Sequence, residues 1–495
     1  MTALLISIVI APLIGFLVIC CLWPNRTALR PYLSTIGFLS VGIGFGLCSV
    51  IFFFWLLIRG EPGFGFMIVE AAVLTFLVAC LLYKLKSRRV EIAYNGNRTP
   101  ITRSRFRVFL VIAVFVGVIS AAASYAHSYK QSPHGQGDAV SVWNMRARFI
   151  FRGGAHWREG FSTLLSHPDY PLLLPLTVAR SWQFAGSDST NAPALIAFLF
   201  TFATIGLVAS SLSVLHTTGQ GLLAALLLLG TPFLIRHGAS QYADVPMAFF
   251  LLATVVLFCL NDALGDRSHK LIVLAGTATG FSAWTKNEGW LFLISIIAAR
   301  FISFLLSRDL RAYFREILSF SAGLMLPLIA ILVFKTKLSP ANDLLSGQGF
   351  QPTLERLSSL SRYVVVAKAF FNEALGFGGW WLGPAFLLAL YPLVLGIRVQ
   401  DRNKKGVLTS FSVICIMLVG YFFIYVTTPE DLAWHLNTSL NRLLLQVWPL
   451  FVLTYFLVIK GPEEIPPNER ATPQAPRPSR SKPDKKGQTW QPRQT

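Results

Sequence analysis

The stretch ALLISIVIAPLIGFLVICCLW, residues 3–23, runs for 21 residues without a charged side chain. A helix needs about 20 apolar residues to cross the ~30 Å hydrocarbon core of a bilayer, so this stretch predicts a membrane span. Apolar blocks of similar length recur through the 495 residues, which are 54% hydrophobic and only 13% charged. Because soluble domains carry about 25% charged residues, the sequence predicts a polytopic membrane protein.

The apolar blocks predict an all-α bundle of about thirteen transmembrane helices. Backbone polar groups in hydrocarbon must bond to one another, and these blocks are too continuous for the alternating strands of a membrane barrel. The apolar stretch at 171–185 is short and has prolines nearby, so we expect an interfacial helix within a long outer loop. The predicted spans are residues 3–23, 34–58, 64–83, 108–125, 193–215, 221–236, 245–261, 270–285, 289–306, 318–335, 381–397, 407–426 and 443–459.

The formal net charge of +20 favours one membrane orientation. If the N-terminus is outside, the thirteen spans place most of the 43 Lys and Arg residues in cytoplasmic segments, as the positive-inside rule predicts. We therefore expect a multi-pass protein of the plasma (bacterial inner) membrane with a cytoplasmic C-terminus. The basic residues then serve topology and contact with anionic membrane lipids, and a nucleic-acid partner is not expected.

Composition also divides the chain into three parts. Residues 1–107 hold three spans and a basic cytoplasmic loop, residues 108–459 hold the remaining spans, and the Pro-rich, basic residues 460–495 predict a disordered cytoplasmic tail. The six cysteines lie within apolar blocks without a CxxC pair, which favours core packing over disulfides or zinc. Glu70 lies within a span and has no obvious basic partner in the sequence. We expect it to face the bundle or reach the interface, with a functional role as the alternative.

Charged and aromatic side chains collect at the span ends on the predicted outer face. Charged groups at such a depth usually face a cavity or one another, which makes these positions the candidate functional site. The candidates in the first long outer loop, about 126–192, are Asp138, Arg146, Asp169 and Tyr170, and those in later outer turns are Asp244, Lys286, Glu288, His435 and Arg442.

Several of these candidates also have a structural interpretation. Asp244 shortly precedes a proline, in the pattern of a helix N-cap. Lys286 can pair with Glu288 within a tight turn. Arg146 fits a solvated helix face, and His435 fits a hydrogen-bonded structural histidine better than a metal ligand.

The order of the motifs resembles a known enzyme superfamily. A span is followed by an outer loop that opens with Asp138, then by HPDYPLLLPL at 167–176, YADVP at 242–246 and AWTKNEG at 283–289. This order resembles the GT-C superfamily of membrane glycosyltransferases, and most of all its protein mannosyltransferases and lipid A aminoarabinose transferases. The resemblance covers about residues 108–459, which would form the catalytic membrane core.

Enzymes of this superfamily transfer a sugar from a polyprenyl phosphate to a hydroxyl on the outer face. The resemblance therefore implies a polyprenyl-phosphate-linked sugar donor and a glycolipid, glycan or protein acceptor. It implies Asp138 as general base or metal-organising carboxylate, Lys286 as the lysine of a TKG-like turn, and Arg442 as a basic residue ahead of the last core span. Asp169 and Asp244 match acids near the later motifs. Many relatives have two acids in the first motif, whereas an alanine follows Asp138 here, so no cofactor is expected and a divalent metal is not favoured.

The chemistry of such a transfer gives the candidates different roles. A carboxylate must take the proton of the acceptor hydroxyl, and this is the role expected of Asp138. Cations must lie beside the departing phosphate, where negative charge develops; Lys286 and Arg442 are the candidates, with Arg146 or Arg148 as the alternatives. The other residues expected to bind substrate are Asp169, Tyr170, Asp244, Glu288 and His435.

Two other functions stay open at the level of sequence. A lipid or sugar transporter or flippase would place ionisable residues or broken helices near the midplane in repeated halves, and no inverted repeat is evident. A non-catalytic subunit of a surface-polysaccharide assembly system would tolerate loss of Asp138, whereas the enzyme would not.

Overall fold

The computed structural model describes residues 2–25, 27–87, 105–265, 268–340, 349–380 and 384–461, which form a bundle of α-helices. The predicted disordered tail and most of the predicted basic loop before residue 108 lie outside the described residues. The helices are α1 (Thr2–Leu22), α2 (Leu33–Arg59), α3 (Gly65–Ser87), α4 (Arg105–Gln131), α5 (Asn144–Arg152), α6 (Leu173–Ala185), α7 (Asn191–Leu215), α8 (Thr218–Leu229), α9 (Pro232–Ala239), α10 (Asp244–Leu264), α11 (Lys270–Thr285), α12 (Glu288–Ser307), α13 (Leu310–Lys337), α14 (Phe350–Ser358), α15 (Leu360–Gly376), α16 (Pro384–Leu395), α17 (Lys404–Thr427) and α18 (Leu432–Val458).

The predicted all-α membrane bundle is confirmed. Among the described residues, ten helices are long and apolar enough to cross a membrane, and the pair α8–α9 makes an eleventh if it is one span. That pair is bent by 63°, because Pro232 has no N–H to continue the helix and its ring crowds the preceding turn. The predicted spans 270–285 and 381–397 correspond to α11 and α16, with 16 and 12 residues.

The shortness of α11 is compatible with a membrane bundle because protein surrounds it. Most of its side chains are buried, and its backbone packs closely on α13. A Cβ on Gly276 would lie 2.0 Å from the carbonyl oxygen of Phe320, and a Cβ on Gly323 would lie 1.8 Å from that of Val273. Small residues of this kind let membrane helices approach one another. A helix buried in this way does not itself have to match the bilayer thickness.

The N-terminal helices pack directly on the helices that follow them. In α2, a Cβ on Gly42 would meet the ring of Phe249 in α10 at 2.1 Å. The indole Nε1 of Trp284, at the end of α11, donates to Oγ of Ser49 in α2 over 3.1 Å. These contacts place α2 against the core, and the division of the chain at residue 107 stays a prediction.

Glu70 has a basic partner that the sequence did not reveal. The guanidinium of Arg180 donates to both carboxylate oxygens of Glu70, over 2.5 and 2.6 Å, and to the carbonyl oxygen of Ser7 over 3.0 Å. Arg180 lies in α6, the helix expected at 171–185, which is buried against α1, α2 and α5. Both side chains are buried, so this pair ties α6 to the N-terminal helices.

The Glu70–Arg180 pair gives a prediction about stability. Arg180→Met leaves the Glu70 carboxylate buried without its cation, which we expect to lower the free energy of unfolding by about 3–5 kcal/mol. Denaturant unfolding in detergent micelles measures the loss. The double variant Glu70→Leu/Arg180→Leu is the control, since it leaves no uncompensated charge and should regain most of the stability. Equal stability of Arg180→Met and wild type would contradict the prediction.

Candidate active site

Several helix ends converge at one end of the bundle, which we call the site end. Here α4 ends at Gln131, α11 ends at Thr285, and α10 and α12 begin at Asp244 and Glu288. The first turns of α18 complete the group. Five predicted site residues lie together here: Asp138, Asp244, Lys286, Glu288 and Arg442.

Asp244 is the centre of this cluster and is fully buried. Its Oδ1 accepts from Nζ of Lys286 at 2.9 Å and from Nε2 of Gln446 at 2.7 Å. Its Oδ2 accepts from Nε of Arg442 at 3.0 Å and lies 3.1 Å from Nε2 of His237. A carboxylate offers about four lone-pair positions, so these partners saturate it. Its side chain makes no N-cap bond to α10, whose N-cap is Ala243.

The two cations of the cluster are held in place by more than one group. Nζ of Lys286 lies 2.7 Å from the carboxylate of Glu288, in addition to its bond to Asp244. Burial alone would lower the pKa of Lys286, but these two carboxylates raise it above its ordinary value, so the ammonium stays charged. The guanidinium of Arg442 bridges Asp244 and Asp138 and lies 4.6 Å from the ring centre of Tyr242.

Asp138 is the most accessible carboxylate of the cluster. Its side chain is 26% exposed and pairs with Arg442, whose own side chain is 18% exposed. Asp138 ends a turn that approaches Tyr242 closely, and a Cβ on Gly137 would lie 2.1 Å from the Tyr242 hydroxyl. Gly137 also has a φ of +40°, a conformation that glycine adopts most readily. The position of Asp138 therefore depends on a glycine before it.

The structure places Arg146 and Tyr170 in the wall beside the cluster. Arg146 is buried and donates to the carbonyl oxygens of Ser166, His167 and Tyr170. Its guanidinium therefore holds the 166–170 turn, and its burial rules out the solvated helix face, whereas its contact with a phosphate stays a prediction. The Tyr170 ring stacks between Trp143 and His167, with centroids 5.4 and 4.7 Å away. Burial and the nearby Glu288 raise the pKa of Tyr170, so its hydroxyl stays neutral beside the charged groups.

Two further candidates lie apart from the Asp244 cluster. Asp169 is buried and pairs with Lys335 over 2.9 Å. His435 lies with Nδ1 2.8 Å from Oγ1 of Thr428 and with its ring against Tyr425. Because α18 begins at Leu432, well before the predicted span start at 443, His435 lies on this helix and not in an outer turn. Arg442 likewise lies within α18 and not ahead of it.

Some residues of the cluster were missed at the level of sequence. His237 lies five residues before Tyr242 of the YADVP motif, and Gln446 lies one helical turn after Arg442. Neither has the formal charge that most of the predicted candidates have, and Gln446 lies within the predicted span 443–459. Among the described residues, no group of three or more His, Cys, Asp or Glu side chains is arranged to hold a metal ion. Metal independence stays a prediction.

The protein is thus a helical membrane protein in which carboxylates pair with cations at one end of the bundle. Residues 169–336 match a family model described as dolichyl-phosphate-mannose-protein mannosyltransferase. This match confirms the resemblance to the GT-C superfamily and supports a membrane glycosyltransferase of the GT-C type. The matched segment spans about a third of the chain, and Asp138 and Arg442 lie outside it. No curated protein and no solved structure matches the chain.

Proposed function

We propose that this protein moves a sugar from a polyprenyl-phosphate carrier to a hydroxyl acceptor on the extracytoplasmic face of the plasma membrane. The matched family supports the reaction class and a lipid-phosphate donor. The acceptor is a glycolipid, a glycan or a protein. The basic loops at the end opposite the site end support this orientation, since cytoplasmic loops carry an excess of Lys and Arg. Their basic residues include Arg308, Arg311, Arg315, Arg398, Arg402, Lys404 and Lys405.

The observation that carries the proposal is the different exposure of the two central carboxylates. Asp244 is fully buried and saturated by polar partners, whereas Asp138 is 26% exposed and pairs with Arg442. A general base must reach the proton that it removes, so Asp138 fits that role. Asp244 fits a different one, because it holds the two cations in position.

The transfer then follows from these positions. The acceptor hydroxyl gives its proton to the Asp138 carboxylate as its oxygen bonds to the anomeric carbon of the sugar. The bond between that carbon and the phosphate oxygen breaks, and its electron pair leaves with the polyprenyl phosphate. The partly exposed Arg442 contacts this phosphate, and the buried Lys286 adds its positive charge without touching it, so both offset the negative charge that grows there.

Arg442 also links donor binding to the base. In the structure its guanidinium contacts Asp138, and both side chains are partly exposed. A donor phosphate placed against Arg442 competes with Asp138 for the guanidinium, which releases the Asp138 carboxylate toward the acceptor. The donor is therefore expected to bind before the acceptor.

Mass spectrometry of surface glycolipids, glycans and glycoproteins tests the proposed function. We compare cells that lack the protein with the same cells complemented with wild type, and we expect the loss of one discrete sugar mass, restored by complementation. The missing mass identifies the sugar. A flippase would instead leave the mass profile of the surface glycans unchanged, and the purified protein would move a polyprenyl-phosphate sugar across the membrane of lipid vesicles.

Gly137 provides a test of how the base is positioned. Gly137→Ala pushes a methyl group against the Tyr242 hydroxyl and displaces Asp138, so we expect the transfer rate per folded protein to fall at least about 10-fold. Gly154→Ala is the matched control, because Gly154 also has a positive φ in the same loop but has open space around it. If both variants transferred sugar at the same rate, the close approach of Gly137 to Tyr242 would have no functional role.

A further inference from the structure

A second polar cluster adjoins the site and joins three separate parts of the chain. Nδ2 of Asn287 donates to Oδ2 of Asp169 over 2.8 Å. Nζ of Lys335 donates to the same Oδ2 over 2.9 Å, to the carbonyl oxygen of Asp169 over 2.6 Å and to Oδ1 of Asn287 over 3.3 Å. Asp169 belongs to the first long loop, Asn287 to the turn between α11 and α12, and Lys335 to the last turn of α13.

The position of Asn287 gives this cluster its importance. Asn287 lies between Lys286 and Glu288, which both belong to the Asp244 cluster. Only Lys286 and Asn287 separate α11 from α12, so the turn has little freedom of its own. The contacts of the Asn287 side chain therefore act together with Asp244 to set where the Lys286 ammonium and the Glu288 carboxylate lie.

We propose that Asp169, Asn287 and Lys335 are positioning residues that fix Lys286 and Glu288 for sugar transfer. This inference rests on the proposed function. Only 1% of the Asp169 side chain is exposed, which favours a positioning role over the direct substrate contact predicted from the sequence. Lys335 is 28% exposed and supplies the cation that this buried carboxylate needs.

The backbone around Asp169 is also held by Arg146. Arg146 donates to the carbonyl oxygens of Ser166, His167 and Tyr170, which surround Asp169 in the chain. The 166–170 turn is thus held by two cations. Arg146 bonds its backbone carbonyls, and Lys335 bonds the carbonyl oxygen and the carboxylate of Asp169. Removal of Lys335 frees the Asn287 side chain from one of its two hydrogen-bond partners, and Asp169 is the other.

Kinetics of the full-length protein in lipid nanodiscs test the proposal. Lys335→Met is expected to lower kcat for sugar transfer by about 10- to 100-fold, because a cation misplaced by about 1 Å stabilises the transition state poorly. KM for the donor should change little, since the charge on the phosphate grows mainly in the transition state. Lys335→Arg keeps the cation and should restore most of kcat. Asn287→Ala removes the contact without changing charge, and it should lower kcat in the same way.

Arg152→Met provides the matched control. Arg152 pairs with Asp188 over 2.5 Å in the same first loop but does not touch the 286–288 turn, so this variant should keep the wild-type kcat. Unfolding in denaturant shows the folded fraction of every variant, and Asn287→Ala replaces Lys335→Met if the latter does not fold. A wild type without transfer activity would refute the proposed function. An active wild type whose Lys335→Met and Asn287→Ala variants keep their kcat, or lose it only in step with the folded fraction, would overturn the positioning role.

Discussion

Asp138→Asn is expected to lower the rate of sugar transfer by about 100- to 10,000-fold while leaving the protein folded. Asparagine has the shape of aspartate, but its amide cannot take the proton of the acceptor hydroxyl. Asp138 is partly exposed, so the substitution buries no unpaired charge at this position. Release of polyprenyl phosphate from a labelled donor, by protein in lipid nanodiscs, measures the rate.

Donor affinity separates the role of a base from that of a binding residue. Because Arg442 contacts Asp138 in the structure, Asp138→Asn frees part of the guanidinium for the donor phosphate. The dissociation constant of the donor should therefore stay the same or fall, while the rate collapses. Weaker donor binding together with an unchanged rate of transfer from bound donor would contradict the assignment of Asp138 as the base.

Asp188→Asn is the matched control for this experiment. Asp188 lies in the same first loop, is 24% exposed and pairs with Arg148 and Arg152, so it resembles Asp138 in exposure and in partners. It lies outside the Asp244 cluster, and its variant should transfer sugar at the wild-type rate. Equal losses in the two variants would point to a general effect of charge in this loop.

A second buried arginine at the opposite end of the bundle shows why exposure matters for the assignment. Arg300 pairs with Asp262 and Glu316, over 2.7 Å in each case, much as Arg442 pairs with Asp244 and Asp138. Each of these three side chains is less than 10% exposed, so a substrate cannot reach a carboxylate there. Arg300 therefore ties helices together, whereas the cluster at the site end keeps one carboxylate accessible.

The sequence predicted the class of fold because apolar length is a strong signal. Thirteen apolar blocks were predicted as spans, whereas ten or eleven helices among the described residues are long and apolar enough to cross a membrane, because apolar composition alone does not distinguish such a helix from α11, which is short and enclosed by protein. Nor does it show that Pro232 bends α8–α9 by 63°. The sequence did not predict the partner of Glu70, because Arg180 is 110 residues away and lies in a helix within the first long loop.

The site was predicted in part for a related reason. Span ends on one face converge, so charged residues there come together, as Asp138, Asp244 and Arg442 do. Sequence position does not tell where a side chain points, however. Arg146, for example, is charged and was predicted to contact a phosphate, and the structure shows its guanidinium bonded to backbone carbonyls. Neutral partners such as Gln446 leave no charge signal at all.

Asp244→Asn is expected to have the opposite pattern to Asp138→Asn, with a loss of stability as well as of activity. Asp244 is fully buried and compensates the charges of Lys286 and Arg442. Asp244→Asn leaves Lys286 paired with Glu288 and Arg442 paired with Asp138, but it places a donor amide among the donors that Asp244 now accepts from, so we expect the free energy of unfolding to fall by about 1–3 kcal/mol. Denaturant unfolding in detergent micelles measures this change, and the transfer rate of the remaining folded protein should also fall, because the two cations are no longer held in place.

Glu288→Gln is the comparison variant. It also removes one carboxylate from Lys286, but Glu288 is 14% exposed and pairs with Lys286, whereas Asp244 is fully buried and pairs with both Lys286 and Arg442, so the free energy of unfolding should fall less than in Asp244→Asn. Wild-type stability in Asp244→Asn, with only activity lost, would mean that Asp244 acts as an accessible catalytic group. The roles proposed for the two carboxylates would then have to be reversed. In the proposal Asp244 holds the cations in position and Asp138 accepts the proton of the acceptor hydroxyl.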